Sequence, residues 1–474
     1  MHVLKTVFIV LEVLLLFNLL IFVHELGHFL AARWRGLKVE RFAVWFGKPI
    51  WKKKIGDVEY CLGCIPAGGY VSLPQMAPMD VIEGKGDEPR ELLPPISAID
   101  KIIVAVAGPL FSFLLAVVFA VVVWGVGKPV NDSEKTTAVG WVDPGGPAWT
   151  AGLRPGDVIL EVDGKKVTQF APPAQDSVTW CIISSEGTNI PVKYTRNGEE
   201  RMAYPVPYRR VTKWYERKSL RQILVAPAHE AVIYDVASNS PAALAGLRRG
   251  DEVVAVNGEK VFSFVAVMHA EESMTNAGAL PVTMTVKRGA EQFDKSLLAE
   301  KPLKPADSKP AFGILAWQFN TNTVLRHPSP SEQIKASVDQ IVSTLRTLFS
   351  RKSDVGVQQL GGAVMIIRVY TNLFDSPDGW RLVLWFSVIM NVNLALLNLL
   401  PLPVLDGGHI TLAVLELIRR RPVSGKILQY IQSGFALALI GFMIYIAFFD
   451  IGDWGRSARK DRESEQPVMF APKK

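Results

Sequence analysis

The sequence predicts a polytopic α-helical membrane protein with two β-rich extramembrane repeats and a small membrane-associated β element. Three observations predict it. Four apolar runs, at residues 6–32, 102–126, 380–400 and 427–449, are each long enough to cross a bilayer, which takes about 20 apolar residues. The long segment between the second and third runs contains one pattern written twice. Hydrophobic residues make up 49% of the 474, with 12 Trp, which is apolar for a soluble chain and suits spans plus at least one water-exposed part.

The first run holds the most informative residues, His24-Glu25-Leu26-Gly27-His28. Histidines four apart on a helix lie one turn from each other on one face, so both rings can grip one metal ion. The glutamate beside the first can then act as base on a water that the metal activates. This is the H-E-x-x-H arrangement of zinc proteases. The residues ahead of it, 7–23, are almost wholly apolar, which no solvated surface helix is. Ionisable groups inside a span are costly and point to function. The run is too long for the apolar part of a signal peptide, and cleavage near Ala31 and Ala32 would discard the motif.

Residues 39–73 are rich in β-branched and aromatic residues with glycines, and read as a small antiparallel β element beside the motif helix. Cys61 and Cys64 within it form a C-x-x-C. With Cys181 as the third cysteine and no second pair, they read as two incidental thiols, with half a metal site or a redox pair as the alternatives. The stretch 80–91 is polar and reads as a flexible loop.

Net charge is +7, and the basic residues cluster next to spans, which points to membrane orientation rather than nucleic acid. Arg33, Arg35, Lys38, Arg41, Lys48 and Lys52 to Lys54 follow the first run, and Arg419, Arg420, Arg421 and Lys426 separate the third from the fourth. The positive-inside tendency puts both loops in the cytoplasm and residues 127–379 outside, with both termini. The basic tail, with Arg456, Arg459, Lys460, Arg462, Lys473 and Lys474, pulls the other way.

In the long segment, Gly146-Pro147-Ala148 leads through Ala151-Gly152-Leu153-Arg154 to Gly156-Asp157, and Ser240-Pro241-Ala242 leads through Ala245-Gly246-Leu247-Arg248 to Gly250-Asp251. Each copy continues into an alternating strand that ends in Asp163-Gly164 or Asn257-Gly258, strong hairpin signals. The pattern resembles PDZ domains of the permuted bacterial kind, which bind extended peptides by strand addition. Spacers or lids with closed grooves are the alternative. A Lys/Pro/Ala linker follows at 301–310. Residues 332–352 then read as an amphipathic helix, with Ile334, Val338, Ile341, Val342, Leu345, Leu348 and Phe349 at helical spacing. It lies either on the membrane surface or against a repeat.

Two histidines leave a tetrahedral ion short of ligands, since catalytic zinc usually has three protein ligands and a water. The best third ligand is Asp406, after the prolines at 401 and 403 that break the third run. Irregular backbone at membrane depth is tolerated where it lines protein or water. The alternative role for Asp406 is to cap the following helix. His409, three residues on, is a rival ligand or a neighbour of the site.

These motifs, in this order, identify the chain as resembling the site-2 protease family of intramembrane zinc metalloproteases, in its bacterial regulator-of-sigma-E branch. The residues that carry the resemblance are Phe22–Phe29 with the H-E-x-x-H motif, Lys38-Val39-Glu40-Arg41-Phe42, Ile65-Pro66-Ala67-Gly68-Gly69-Tyr70-Val71, Ala107-Gly108-Pro109, the paired repeats, Asn398-Leu399-Leu400-Pro401-Leu402-Pro403 and Leu405-Asp406-Gly407-Gly408-His409. The resemblance covers nearly the whole chain. It implies Zn2+ as cofactor, His24, His28 and Asp406 as its ligands, and Glu25 as catalytic base. It implies that Gly68, Gly69 and Tyr70 lie on a re-entrant β loop that meets substrate, and that Asn393 and Asn398 touch the substrate backbone. Three positions depart from the family pattern: Ser112 stands where an asparagine is usual, Asn391 where a serine is common, and Ala363 where a proline is usual. None is an implied ligand.

The expected organisation is 1–126 for two spans, motif and β loop; 127–226 and 227–300 for the two β-rich PDZ domains; 301–379 for linker and amphipathic helix; 380–450 for the last two spans; and 451–474 for a tail. The expected activity is cleavage of transmembrane segments of single-span proteins such as anti-sigma factors, in a bacterial inner membrane with the PDZ domains outside the cytoplasm. Expected partners are those substrates, a peptide or substrate outer domain at the PDZ domains, and membrane lipids, with no nucleic acid. A catalytically silent PDZ scaffold is the competing class. A transporter would need more spans and inverted repeats.

Overall fold

The computed structural model describes residues 2–76, 96–171, 174–277, 280–305, 308–319, 324–420, 425–464 and 466–472. The polar stretch 80–91, Arg421, Lys473 and Lys474 lie outside the described residues. The chain divides into two compact units. One holds Met1–Pro129, Arg326–Ile341 and Gly361–Asp450; the other holds Val130–Leu325, Val342–Leu360 and Ile451–Lys474.

The first unit begins with α1 (His2–Trp34), apolar on every side as a helix in lipid must be. β1 (Arg41–Ile55) and β2 (Val58–Ser72) follow, then α2 (Ala98–Val126). The start of α2 lies four residues ahead of the apolar run because Ser97 caps it, its side chain accepting from the backbone N–H of Asp100. Later helices of this unit are α3 (Pro330–Phe349) up to Ile341, α4 (Ala363–Asp375), α5 (Gly379–Asn398), α6 (Asp406–Arg419) and α7 (Gly425–Ser464) up to Asp450. Among the described residues, four helices are long and apolar enough to cross a membrane, over Val7–Trp34, Ala98–Val126, Gly379–Asn398 and Leu428–Arg459.

α2 is the centre of this unit and packs on α1, α5 and α6. Small residues make the approach close: Ala116, Ala120 and Val123 of α2 are fully buried against Val388 and Val392 of α5. Ile334 and Val338, on the apolar stripe of α3, pack on that cluster. α4 inserts Tyr370 among Ile9, Val13 and Val383, and the Tyr370 hydroxyl meets Ser387 Oγ at 3.1 Å. The backbone N–H groups of Gly362 and Met365, at the start of α4, donate to Asp450 Oδ2 of α7 at 3.0 and 3.2 Å. That is a helix N-terminus satisfied from a distant span.

β1 and β2 are long and bent, and pair in pieces. Arg41 lies opposite Ser72 and Val44 opposite Gly69, while Arg41 also faces Glu59 and Val44 faces Leu62. The far half of β1 returns on β2, with Lys54 opposite Glu59 and Ile55 opposite Val58. Residues 41–44 thus lie between 59–62 and 69–72, which leaves 69–72 at an edge. Phe42 and Val58 anchor this element on Phe29 and Ala32 of α1 and Val104 of α2. Cys61 is buried and Cys64 exposed.

In the second unit the repeated pattern becomes a repeated fold. The first copy orders its strands Lys165–Lys166, Val158–Val162, Val192–Arg196, Glu199–Ala203, and a second small sheet pairs Val139–Val142 with Val225–Pro227. The second copy has the same order: Glu259–Lys260, Glu252–Val256, Val282–Arg288, Glu291–Leu297, with Ile233–Val236 against Ile314–Trp317. The last strand lies beyond residue 300, where the sequence reads as linker, because a Pro-rich approach hides a four-residue strand. Each copy buries its motif leucine, Leu153 or Leu247, and each motif aspartate is gripped by an arginine from a strand. Arg196 donates to both Asp157 oxygens at 2.6 and 2.8 Å and to the Gly152 carbonyl at 2.7 Å. Arg288 does the same with Asp251, at 2.6 and 2.7 Å, and Gly246, at 2.7 Å.

Candidate active site

α1 puts His24, Glu25 and His28 on the side that faces α2 and the start of α6. His24 Nε2 and His28 Nε2 are 3.3 Å apart. Asp406 completes a triangle, with Oδ2 at 3.2 Å from His24 Nε2 and Oδ1 at 3.4 Å from His28 Nε2. Among the described residues this is the one group of three or more His, Cys, Asp or Glu able to hold a metal ion.

α2 turns both rings the right way. His28 Nδ1 lies 2.8 Å from the Val104 carbonyl, which can only accept, so Nδ1 carries the proton and Nε2 presents its lone pair. His24 Nδ1 meets the fully buried Ser112 Oγ at 3.0 Å, which orients the second ring. The departure at position 112 therefore falls on a residue that positions a histidine. Gly108 is required by close approach. A Cβ there would lie 2.2 Å from His28 Nε2, so α2 can pass the ring only at a glycine.

Asp406 is the first residue of α6. Leu405 occupies the cap position without a side-chain hydrogen bond, so the Asp406 carboxylate turns to the histidines instead of capping. Its Oδ2 is buried and accepts no hydrogen bond among the described residues. Two imidazole lone pairs and a carboxylate turned toward one another would repel unless a cation lies among them. Zinc bonds of about 2.0–2.1 Å at tetrahedral angles put neighbouring ligand atoms about 3.3–3.4 Å apart. The two histidine nitrogens stand at that spacing, and each carboxylate oxygen lies at it from one histidine, so these residues fit zinc.

The triangle lines a cavity of about 330 Å³. Glu25, Gly68, Gly69, Tyr70, Asn398 and His409 line it as well. Asn398 Nδ2 lies 3.3 Å from His24 Nε2. Gly69 brings the edge strand against α1: a Cβ there would sit 3.0 Å from the Ala43 carbonyl and 3.4 Å from Glu25 Cγ. Asn393 is not among the lining residues, and its Oδ1 is buried without a hydrogen-bond partner. His409 borders the cavity but stands outside the three-donor group. Sequence reasoning missed Val104, Ser112 and Gly108 as builders of the site. The signals for them were the Ala107-Gly108-Pro109 motif and the departure at Ser112.

The model of peptidase family M50 matches residues 12–441. A candidate zinc metalloprotease of Neisseria meningitidis is 30% identical, with 91% of this chain and 96% of the relative covered. A protein named regulator of sigma E protease from Haemophilus influenzae is 28% identical over 91% of this chain and 96% of its own length. One named protease RseP from Yersinia pestis is 27% identical, with the same shares covered. With four membrane-crossing helices and a donor triangle that fits zinc, the chain belongs to peptidase family M50, the site-2 protease family, and is an integral membrane zinc metalloprotease.

Proposed function

We propose that the protein cleaves transmembrane segments of single-span membrane proteins, with His24, His28 and Asp406 as zinc ligands and Glu25 as general base. The observation that carries this reading is the donor triangle, walled by Glu25 and by an edge strand, in a unit made of membrane-crossing helices. When bound there, zinc supplies Lewis-acid chemistry, polarising a carbonyl and making a water acidic enough to attack near neutral pH. Glu25 takes the proton of the attacking water and passes it to the leaving amine. A helical substrate hides its carbonyls in its own hydrogen bonds, so it must unwind first. Residues 69–72 offer a sheet edge beside Glu25 on which an unwound segment can pair, and Gly68, Gly69 and Tyr70 border that edge. Asn398 supports the same segment by its amide, and Asn393 stands five residues further back on α5.

The reading extends to place. The loops rich in Lys and Arg face the cytoplasm of a bacterial cell, the membrane is the inner one, and the two repeats act outside the cytoplasm as PDZ-like modules that admit or exclude substrates. Anti-sigma factors are the substrate class that the relatives named for sigma E regulation suggest. The test is incubation of the purified full-length protein with single-span anti-sigma factors, with and without a chelator. Cleavage inside the span that a chelator stops and zinc restores supports the reading. Intact substrate under all conditions, from a protein with full zinc, would defeat it.

A further inference from the structure

A second, larger cavity of about 640 Å³ is walled by α1, α5, the end of α4 and Val44 of β1. Leu15, Leu19 and Trp380, on its walls, are 76%, 41% and 47% exposed, so nothing else among the described residues covers them. Its walls are apolar except for Glu12 and Asn18. Asn18 is accounted for: its Oδ1 accepts from Trp45 Nε1 at 2.6 Å and its Nδ2 donates to the Leu14 carbonyl at 2.7 Å. Glu12 is not: it has no hydrogen-bond or ion-pair partner among the described residues. A carboxylate on an apolar spanning helix is costly, and such groups pair with something.

The furrow also leads somewhere. It runs along α1 from Glu12 to Phe22, about 15 Å of helix. At the Phe22 end it reaches Val44, the residue opposite Gly69 in the β element, and Gly69 lines the catalytic cavity. The same pair of helices, α1 and α5, lines both cavities.

We propose that this furrow is the docking surface for the substrate's transmembrane helix, and that Glu12 selects helices bearing a lysine or arginine. Glu12 precedes His24 by twelve residues, about 18 Å along the helix, so the basic side chain belongs about twelve residues from the bond to be cut. The still-helical part of the substrate lies on Leu15, Leu19 and Trp380, and the part beyond Phe22 unwinds onto the β edge. This deepens the reading above and rests on it for the identity of the guest.

The test uses full-length protein in lipid nanodiscs, with Cys61, Cys64 and Cys181 replaced, Leu15→Cys introduced and Glu25→Gln to prevent turnover. The probes are synthetic single-span helices of Leu and Ala with one cysteine and, at the position facing Glu12, Lys, Leu or Glu. The Lys helix should form the disulfide about tenfold more than the Leu helix, the size expected of one interhelical polar contact. The preference should vanish in Glu12→Gln and pass to the Glu helix in Glu12→Lys. Equal capture of the Lys and Leu helices would overturn the proposal and leave a furrow filled by lipid chains. Crosslinks only between two copies of the enzyme would overturn it as well. The same helices, given to enzyme that keeps Glu25, separate this proposal from the reading it rests on. A Lys helix that docks selectively yet is never cut defeats the proteolytic reading and leaves the docking surface standing. A helix cut equally with or without its lysine does the reverse.

Discussion

Both units bury carboxylates, and the two burials are built in opposite ways. In the repeats, Asp157 and Asp251 each receive an arginine fork and a backbone N–H, from Arg154 at 2.8 Å and Arg248 at 2.9 Å. Every acceptor has its donor, so the cluster is complete within the protein and holds a turn to a strand. In the first unit, His24, His28 and Asp406 turn acceptor atoms toward one another, and Asp406 Oδ2 has no donor. A satisfied polar cluster stabilises a fold. A convergent cluster of acceptors costs stability unless a cation joins it, and so marks chemistry.

That contrast can be broken most directly at the ligands. His28→Ala or Asp406→Ala should lower bound zinc from one per chain to near none and abolish peptide cleavage, while the second unit keeps its protection from proteolysis. Full zinc in both variants, measured by elemental analysis, would refute the ligand set. Glu25→Gln should retain zinc and lose about 10²–10⁴-fold in cleavage rate, the range for a general base. Turnover near wild type would remove Glu25 from the mechanism.

On the other side of the comparison, Asp251→Ala leaves Arg288 and a turn N–H without their partner and should destabilise the second repeat by about 3 kcal/mol. Zinc content per folded molecule should not change. Loss of zinc from the folded variant would show that the two clusters are not independent. Ser112→Ala tests the seam between positioning and binding. It should weaken zinc affinity about 10–100-fold, as removal of a partner behind a ligand does, and leave the fold intact. Competition with a chelator of known affinity reads it.

The smallest effect is on acid tolerance. Burial alone would raise the Asp251 carboxyl, but hydrogen bonds from Arg288 and from the Arg248 backbone outweigh it and hold the group below the usual carboxylate range. A carboxylate lowered on folding contributes stability above its unfolded value of about 3.9, and that contribution is lost as pH falls through its folded value. Asp251→Asn should therefore flatten the acid limb of the repeat's unfolding curve below about pH 4. An unchanged acid limb would show that the pair does not set it.

Much of this protein is written locally. Apolar runs of bilayer length specify the spans, because a helix is the open structure that satisfies its backbone in lipid by itself. The i, i+4 histidines need only α1 to share a face, so two of the three donors are legible from five residues. The repeats are legible because the Gly-Leu-Arg and Gly-Asp turns recur at fixed spacing and each copy folds on its own segment. Tertiary structure decided the rest. The sequence nominates Asp406 as third ligand with capping as its alternative, and only the fold decides between them, by aiming the carboxylate at the start of α6 toward the histidines of α1. Val104 reads as an ordinary residue of an apolar helix, and Gly108 and Ser112 stand out only as part of the family pattern and a departure from it, until α2 is laid against His28. Glu12 reads as a stray charge until α4 and α5 wall a furrow around it. The strand Ile314–Trp317 exists only because Ile233–Val236 is there to pair with it. Sequence records the energetics of single elements, through period and propensity. It does not record which faces meet, and a site built where faces meet takes its geometry from that meeting.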